Sequence, residues 1–247
     1  MSSAPIALVG SGEYLPIMAD IEKGLIAGRP PRYVQLATAA APEGEASLAR
    51  WHRLGREQAE RLGVEQVVVD VRTREDAESQ QWVEAIKGAG LIYLSGGNPA
   101  FLSETLHQTA VWHAIVEAHE NGAALAGCSA GAMALSSWAP RMRDLVHPNQ
   151  PTGLGLVPDL RVIPHFDRML GWMPDMLRNA LLHKPEGTML IGIDEDTALV
   201  GGPHEWTVQG RQSVWVLGEG KRDEHPAGST LTTPRPTFPP CRMIMSS

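Results

Sequence analysis

The sequence predicts an α/β fold: a mostly parallel sheet with helices on both faces and a C-terminal antiparallel extension. Three observations carry this expectation. Short apolar runs ending in turn-forming residues alternate with helix-length amphipathic segments as far as the glycine-rich stretch around Ser129. Strands separated by helices need crossover connections, which are right-handed and leave consecutive strands parallel. Beyond residue 189 the segments become short and closely spaced, as antiparallel pairing requires.

Taken in order, residues 5–10 form a buried first strand that ends in Gly10-Ser11-Gly12-Glu13. A dinucleotide fingerprint would need a third glycine at position 15; Leu15 stands there, so this is a structural turn. Residues 33–38 are a second strand, and 45–62 a helix with Leu48, Trp51, Leu54, Gln58 and Leu62 along one face. Residues 64–71 give a β-branched third strand, and 79–87 a helix with Trp82, Val83 and Ile86 facing inward. The fourth strand, 91–94, runs into Ser95-Gly96-Gly97-Asn98; helices over 99–107 and 109–119 follow and close at Asn121-Gly122. A fifth strand enters the stretch around Ser129. Residues 160–163 are a strand ending at Pro164-His165-Phe166-Asp167, and 173–183 a helix with Pro174 in its first turn. Residues 189–193 are a strand leading to Asp194-Glu195-Asp196, and 197–200, 206–208 and 213–216 form a closing meander. A single domain is expected over 1–225, with a Pro/Thr/Ser-rich tail over 226–247, poorly ordered or draped on the surface.

The chemistry concentrates in Gly127-Cys128-Ser129-Ala130-Gly131, a Gly-x-Ser-x-Gly pattern between strand and helix. This is the nucleophile-elbow arrangement: flanking glycines let the returning chain pass close while the central side chain projects at the sheet rim. Cys128, bracketed by Ala126 and Ala130, leaves a thiol nucleophile open, but the flanking glycines favour Ser129. A serine needs a base oriented by a carboxylate. His107, His113 and His119 fall on surface helices and His225 in the tail, whereas His165 sits at a strand C-terminus, where catalytic side chains gather. Asp144, Asp167, Asp194 and Glu195 all remain candidates for the acid. Oxyanion donors are expected from the Ala130 N–H and the Gly96-Gly97 turn.

The bulk properties narrow the partners. A net charge of −7 with no clustered Lys/Arg run argues against nucleic acid or an anionic membrane, and a small-molecule or peptide substrate fits better. No apolar stretch approaches a membrane span and the first twelve residues lack a secretory pattern, so a cytoplasmic location is expected. Two cysteines, Cys128 and Cys241, make no disulfide framework, and no histidine, cysteine or acidic spacing reads as a metal site.

Four stretches taken together resemble the serine peptidase family of dipeptidase E (α-aspartyl dipeptidase) and cyanophycinase: Leu94-Ser95-Gly96-Gly97-Asn98, Gly127 to Ala132, Val162 to Phe166 and Gly192 to Ala198. The resemblance implies a class I glutamine amidotransferase-like, flavodoxin-like fold and hydrolysis of peptide bonds at aspartate with serine as nucleophile and no cofactor. It implies Ser129 as nucleophile, His165 as base, Asp144 as the acid with Glu195 as the alternative, and Ala130 and Gly97 as the oxyanion hole. Asn98, Arg168 and Arg178 become candidate substrate contacts, and the family's dimers make a homodimer one expectation. Cyanophycinase-like enzymes follow the histidine with a dense arginine cluster; only Arg168 and Arg178 stand in that region here, which favours dipeptides or other small peptides over the cyanophycin polymer. A Cys128-dependent amidotransferase or glutaminase and a non-catalytic binding protein are the competing readings.

Overall fold

The computed structural model describes residues 4–141, 152–169, 187–218 and 221–233. The chain alternates β1 (Ile6–Val9), α1 (Ala19–Ile26), β2 (Arg32–Leu36), α2 (Glu45–Leu62), β3 (Glu65–Val68), α3 (Gln80–Ile86) and β4 (Leu91–Leu94). There follow α4 (Pro99–Leu106), α5 (Ala110–Glu120), β5 (Ala124–Cys128), α6 (Ala130–Leu135), β6 (Leu160–Ile163), α7 (Phe166–Met169) and β7 (Met189–Ile193). The last described elements are β8 (Thr197–Gly201), β9 (Glu205–Gly210), β10 (Ser213–Gly218), β11 (Lys221–Pro226) and β12 (Thr230–Thr232).

An eight-stranded sheet has the order β12-β9-β8-β1-β5-β4-β2-β3. Its strands β3, β2, β4, β5 and β1 are parallel, while β8, β9 and β12 extend it antiparallel. Strands β1, β4 and β5 are buried along their whole length, as strands covered on both faces must be. The pleat sends alternate side chains to opposite cores. Ala7 and Val9 pack with Ile21 and Leu25 of α1 and Ala59 of α2; Ile6 and Leu8 belong to the core that holds Ile86 of α3, Leu102 of α4 and Ile115 of α5. Helices cover both faces, as expected.

Three features differ from the sequence reading. Helix α1, preceded by a short 3-10 turn at Pro16–Met18, has no counterpart in the sequence expectation; it is only 8 residues long and carries Gly24 inside it. The closing meander is divided: β8 and β9 pair with each other in the large sheet, whereas β10 crosses to β7 in a second sheet of order β11-β10-β7-β6. Pairing with β10 closes the open edge of β7, whose Leu190, Ile191 and Ile193 are all buried. The first residues of the expected tail are also structured. Thr230–Thr232 pairs with β9, Leu231 is buried, and Trp206 Nε1–H donates to Thr233 Oγ1 at 3.2 Å. Residues 234–247, and the helix expected over 173–183, lie outside the described residues.

Candidate active site

The elbow forms where β5 turns into α6. Ser129 takes φ 50° and ψ −106°, a conformation few side chains adopt, which costs on the order of 1–3 kcal/mol and persists only where its surroundings enforce it. They do: Ser129 N–H donates to Val9 O at 2.9 Å, across to the end of β1. The flanking glycines are required by contact. A Cβ on Gly127 would lie 2.5 Å from the carbonyl carbon of Gly131, and one on Gly131 would collide with the carbonyl oxygen of Leu94. Close strand-helix approach, rather than flexibility, is why this pattern needs glycine.

His165 arrives from the second sheet. It follows β6, has φ 50°, and brings Nε2 to 3.2 Å from Ser129 Oγ. Its Nδ1 lies 2.9 Å from Glu195 Oε1. A carboxylate only accepts, so Nδ1 carries the proton and donates to Glu195; Nε2 of the neutral ring is then an acceptor facing the serine hydroxyl. Glu195 sits in the turn between β7 and β8, the connection joining the two sheets. Arg168 Nε lies 3.2 Å from its Oε2 as an ion pair, its N–H donates to Asp167 Oδ1 at 2.9 Å, and Gln212 Nε2 donates to its carbonyl at 3.0 Å. The residue on His165 is thus held at side chain and backbone alike.

The other acids separate by environment. Asp194 is buried, accepting from Trp215 Nε1 at 3.0 Å and from Ser213 N at 3.2 Å; burial pushes its carboxyl above its ordinary value. Asp167 anchors Glu195, and Asp144 lies outside the described residues. Arg178 lies outside them as well, and Arg168 is tied to Glu195 by Nε while its side chain remains 76% exposed. Asn98 caps α4: its Oδ1 accepts from Phe101 N at 3.0 Å.

The turn after β4 abuts Ser129, with a Cβ position on Gly96 only 3.6 Å from Ser129 Cβ. Ser95 N–H donates to Leu36 O at 2.9 Å, Gly96 N–H to Glu13 Oε1 at 3.0 Å, and Asn98 N–H to Ala39 O at 2.8 Å. Among the described residues the Gly97 N–H has no acceptor, and neither does Ala130 N–H at the start of α6. Gly97 has φ 137°, and a Cβ there would press on the Ala39 carbonyl carbon at 2.5 Å.

Cys128 is fully buried, and its S–H donates to Glu13 Oε2 at 2.8 Å. Burial first, then the Glu13 charge, hold the thiol well above its ordinary value, so the reactive thiolate is suppressed. His119, expected on a solvated face, is buried with Nδ1 2.9 Å from Ala123 O, and burial lowers it below the usual histidine value. Glu13 and Gln212 were not singled out in the sequence; the only signal for Glu13 is an acid directly after Gly10-Ser11-Gly12 at the sheet rim.

Residues 46–207 match the model of Peptidase family S51. Cyanophycinases of Nostoc sp. and of Trichormus variabilis are each 32% identical over 205 residues, which cover 77% of this chain and 65% of the relative. The matched region thus spans just under two thirds of the curated relatives. A solved peptidase from an acI-B1 Actinobacterium superposes with a TM-score of 0.86 at 43% identity, covering 93% of this chain and 97% of that one. A putative peptidase E protein from Listeria monocytogenes shares the fold, with a TM-score of 0.57 at 16% identity over 92% of this chain and all of the other.

Proposed function

The chain belongs to Peptidase family S51, and from that premise we propose that it is a serine peptidase hydrolysing dipeptides or short peptides at aspartyl or other acidic residues. The observation that carries this reading is the continuous contact from Ser129 Oγ through His165 to Glu195 Oε1, at 3.2 and 2.9 Å.

In this reading Ser129 Oγ attacks the scissile carbonyl carbon as its proton passes to His165 Nε2. Glu195 stabilises the imidazolium through Nδ1–H and fixes the tautomer. The carbonyl oxygen, now negative, is held by the N–H groups of Gly97 and Ala130, which find no acceptor among the described residues. Nε2–H then protonates the leaving amine, and the acyl group stays on Ser129 until water, deprotonated by the same Nε2, releases it. Arg168, ion-paired with Glu195 and largely exposed, supplies a cation for an acidic side chain or a terminal carboxylate.

A library of dipeptides and tripeptides, with cyanophycin alongside because curated relatives are named cyanophycinases, is digested with wild type and Ser129→Ala and read by mass spectrometry. Cleavage next to acidic residues that disappears in Ser129→Ala is the expected result. Full activity of Ser129→Ala would sink the mechanism, and cleavage of cyanophycin alone would replace the small-peptide reading with the polymer.

A further inference from the structure

Glu13 lies outside the set Ser129, His165 and Glu195, yet it touches both segments that carry the oxyanion donors. Its Oε1 accepts from Gly96 N–H, one residue before Gly97, and its Oε2 accepts from the S–H of Cys128, one residue before Ser129. It reaches them from the loop after β1, so one carboxylate joins the ends of three neighbouring strands: β1, β5 and β4. We propose that Glu13 is a positioning residue, clamping the Gly96-Gly97 turn to the elbow and so setting the separation of the Gly97 and Ala130 N–H groups. The inference rests on the oxyanion assignment made above.

The geometry gives this carboxylate few other uses. A negative charge beside a developing oxyanion is unfavourable, and two donors here spread it over Gly96 N–H and Cys128 S–H. With Ser95 and Asn98 already anchored, the Gly96 contact leaves Gly97 as the one N–H of this turn without an acceptor among the described residues. Gly96 must lack a side chain for the clamp to close, since a Cβ would stand 2.7 Å from Glu13 Oε1. Cys128 then has a role without reactivity: it donates the second hydrogen bond. A serine in its place keeps a donor and an alanine does not.

The test follows phosphonylation of Ser129 by a fluorophosphonate in the full chain, by mass spectrometry, which needs no knowledge of the natural substrate. For Glu13→Ala the maximal labelling rate falls roughly 10- to 100-fold, a fraction of the loss of an oxyanion donor, while the half-saturating concentration moves by less than about threefold. Cys128→Ala slows labelling roughly 3- to 10-fold and Cys128→Ser stays within about twofold of wild type. Thermal melts identify any variant that fails to fold; should Glu13→Ala be one, the Cys128 pair decides. A folded Glu13→Ala that keeps the wild-type maximal rate, or loses only half-saturation, overturns the clamp, as do equal rates for Cys128→Ala and Cys128→Ser. Failure of the underlying reading shows differently: wild type itself, with Glu13 intact, does not label at Ser129, and the clamp falls with it.

Discussion

At the residue scale, the surroundings of Glu195 and Cys128 bear differently on the serine and thiol readings that the sequence left open. Glu195 Oε1 accepts from His165 Nδ1 and Oε2 is ion-paired with Arg168, so Glu195→Gln weakens the hold on the imidazolium and removes the charge partner of Arg168. The expected loss is roughly 1,000- to 10,000-fold in kcat with KM nearly unchanged, because the interaction matters most when His165 is protonated. Steady-state kinetics on a cleaved dipeptide checks this; a loss under tenfold would return the acid's role to another carboxylate. For Cys128, burial and its bond to Glu13 predict that iodoacetamide at neutral pH leaves peptidase activity intact and Cys128 unmodified on peptide mapping. Activity lost in step with Cys128 alkylation would revive the glutaminase reading. The strand-end positions of Ser129 and His165 were legible because strand ends and small flanking residues are local in sequence. Glu13 was not, because its partners lie 83 and 115 residues away.

At the scale of elements, two glycines of identical chemistry differ in the space beside them. Gly127 sits where β5 meets α6, and an added Cβ would press on the Gly131 carbonyl; Gly127→Ala should lower stability by about 1–3 kcal/mol and abolish Ser129 labelling. Gly24, inside α1, has nothing within 4 Å of an added Cβ, so Gly24→Ala should raise stability by about 0.5–1 kcal/mol and leave labelling untouched. Urea denaturation of the two variants checks both signs; a stabilised Gly127→Ala would mean that the strand and helix are not held at this distance. Helix α2, with the bounds 45–62 expected, shows how readable an 18-residue amphipathic pattern is. The partner of β10 was unreadable, because Ser213–Gly218 carries the same pattern whether it joins β9 or β7. That choice depends on which edge is left open once the rest has packed.

At the scale of the whole molecule, buried acids tie stability to pH, and Glu22 has the larger shift. Glu22 of α1 is 2% exposed beneath the sheet, accepting from Tyr33 Oη at 3.0 Å. Burial raises its carboxyl from an ordinary 4.5 to about 7, with hydrogen bonds from Gln58 and Tyr33 and the charge of Arg61 opposing, and Glu13 adding to the rise. A raised acid folds most favourably when protonated. Its contribution is therefore complete below about pH 4.5 and is lost as pH climbs through 7, a change of about 3 kcal/mol at most. Half-buried His52 and buried His119, both lowered, act in the opposite sense: their contribution falls away below the usual histidine value and is present above it. The melting temperature of wild type alone therefore mixes opposing terms, and the difference between wild type and Glu22→Gln isolates one of them. The two proteins should melt close together at pH 5, and Glu22→Gln should melt higher at pH 8, since the amide keeps an acceptor for Tyr33 without a charge to bury. Against a total stability of about 5–15 kcal/mol, that gap amounts to several degrees in calorimetry. A gap independent of pH would show that Glu22 is ionised in the folded protein throughout, with its charge met by Arg61.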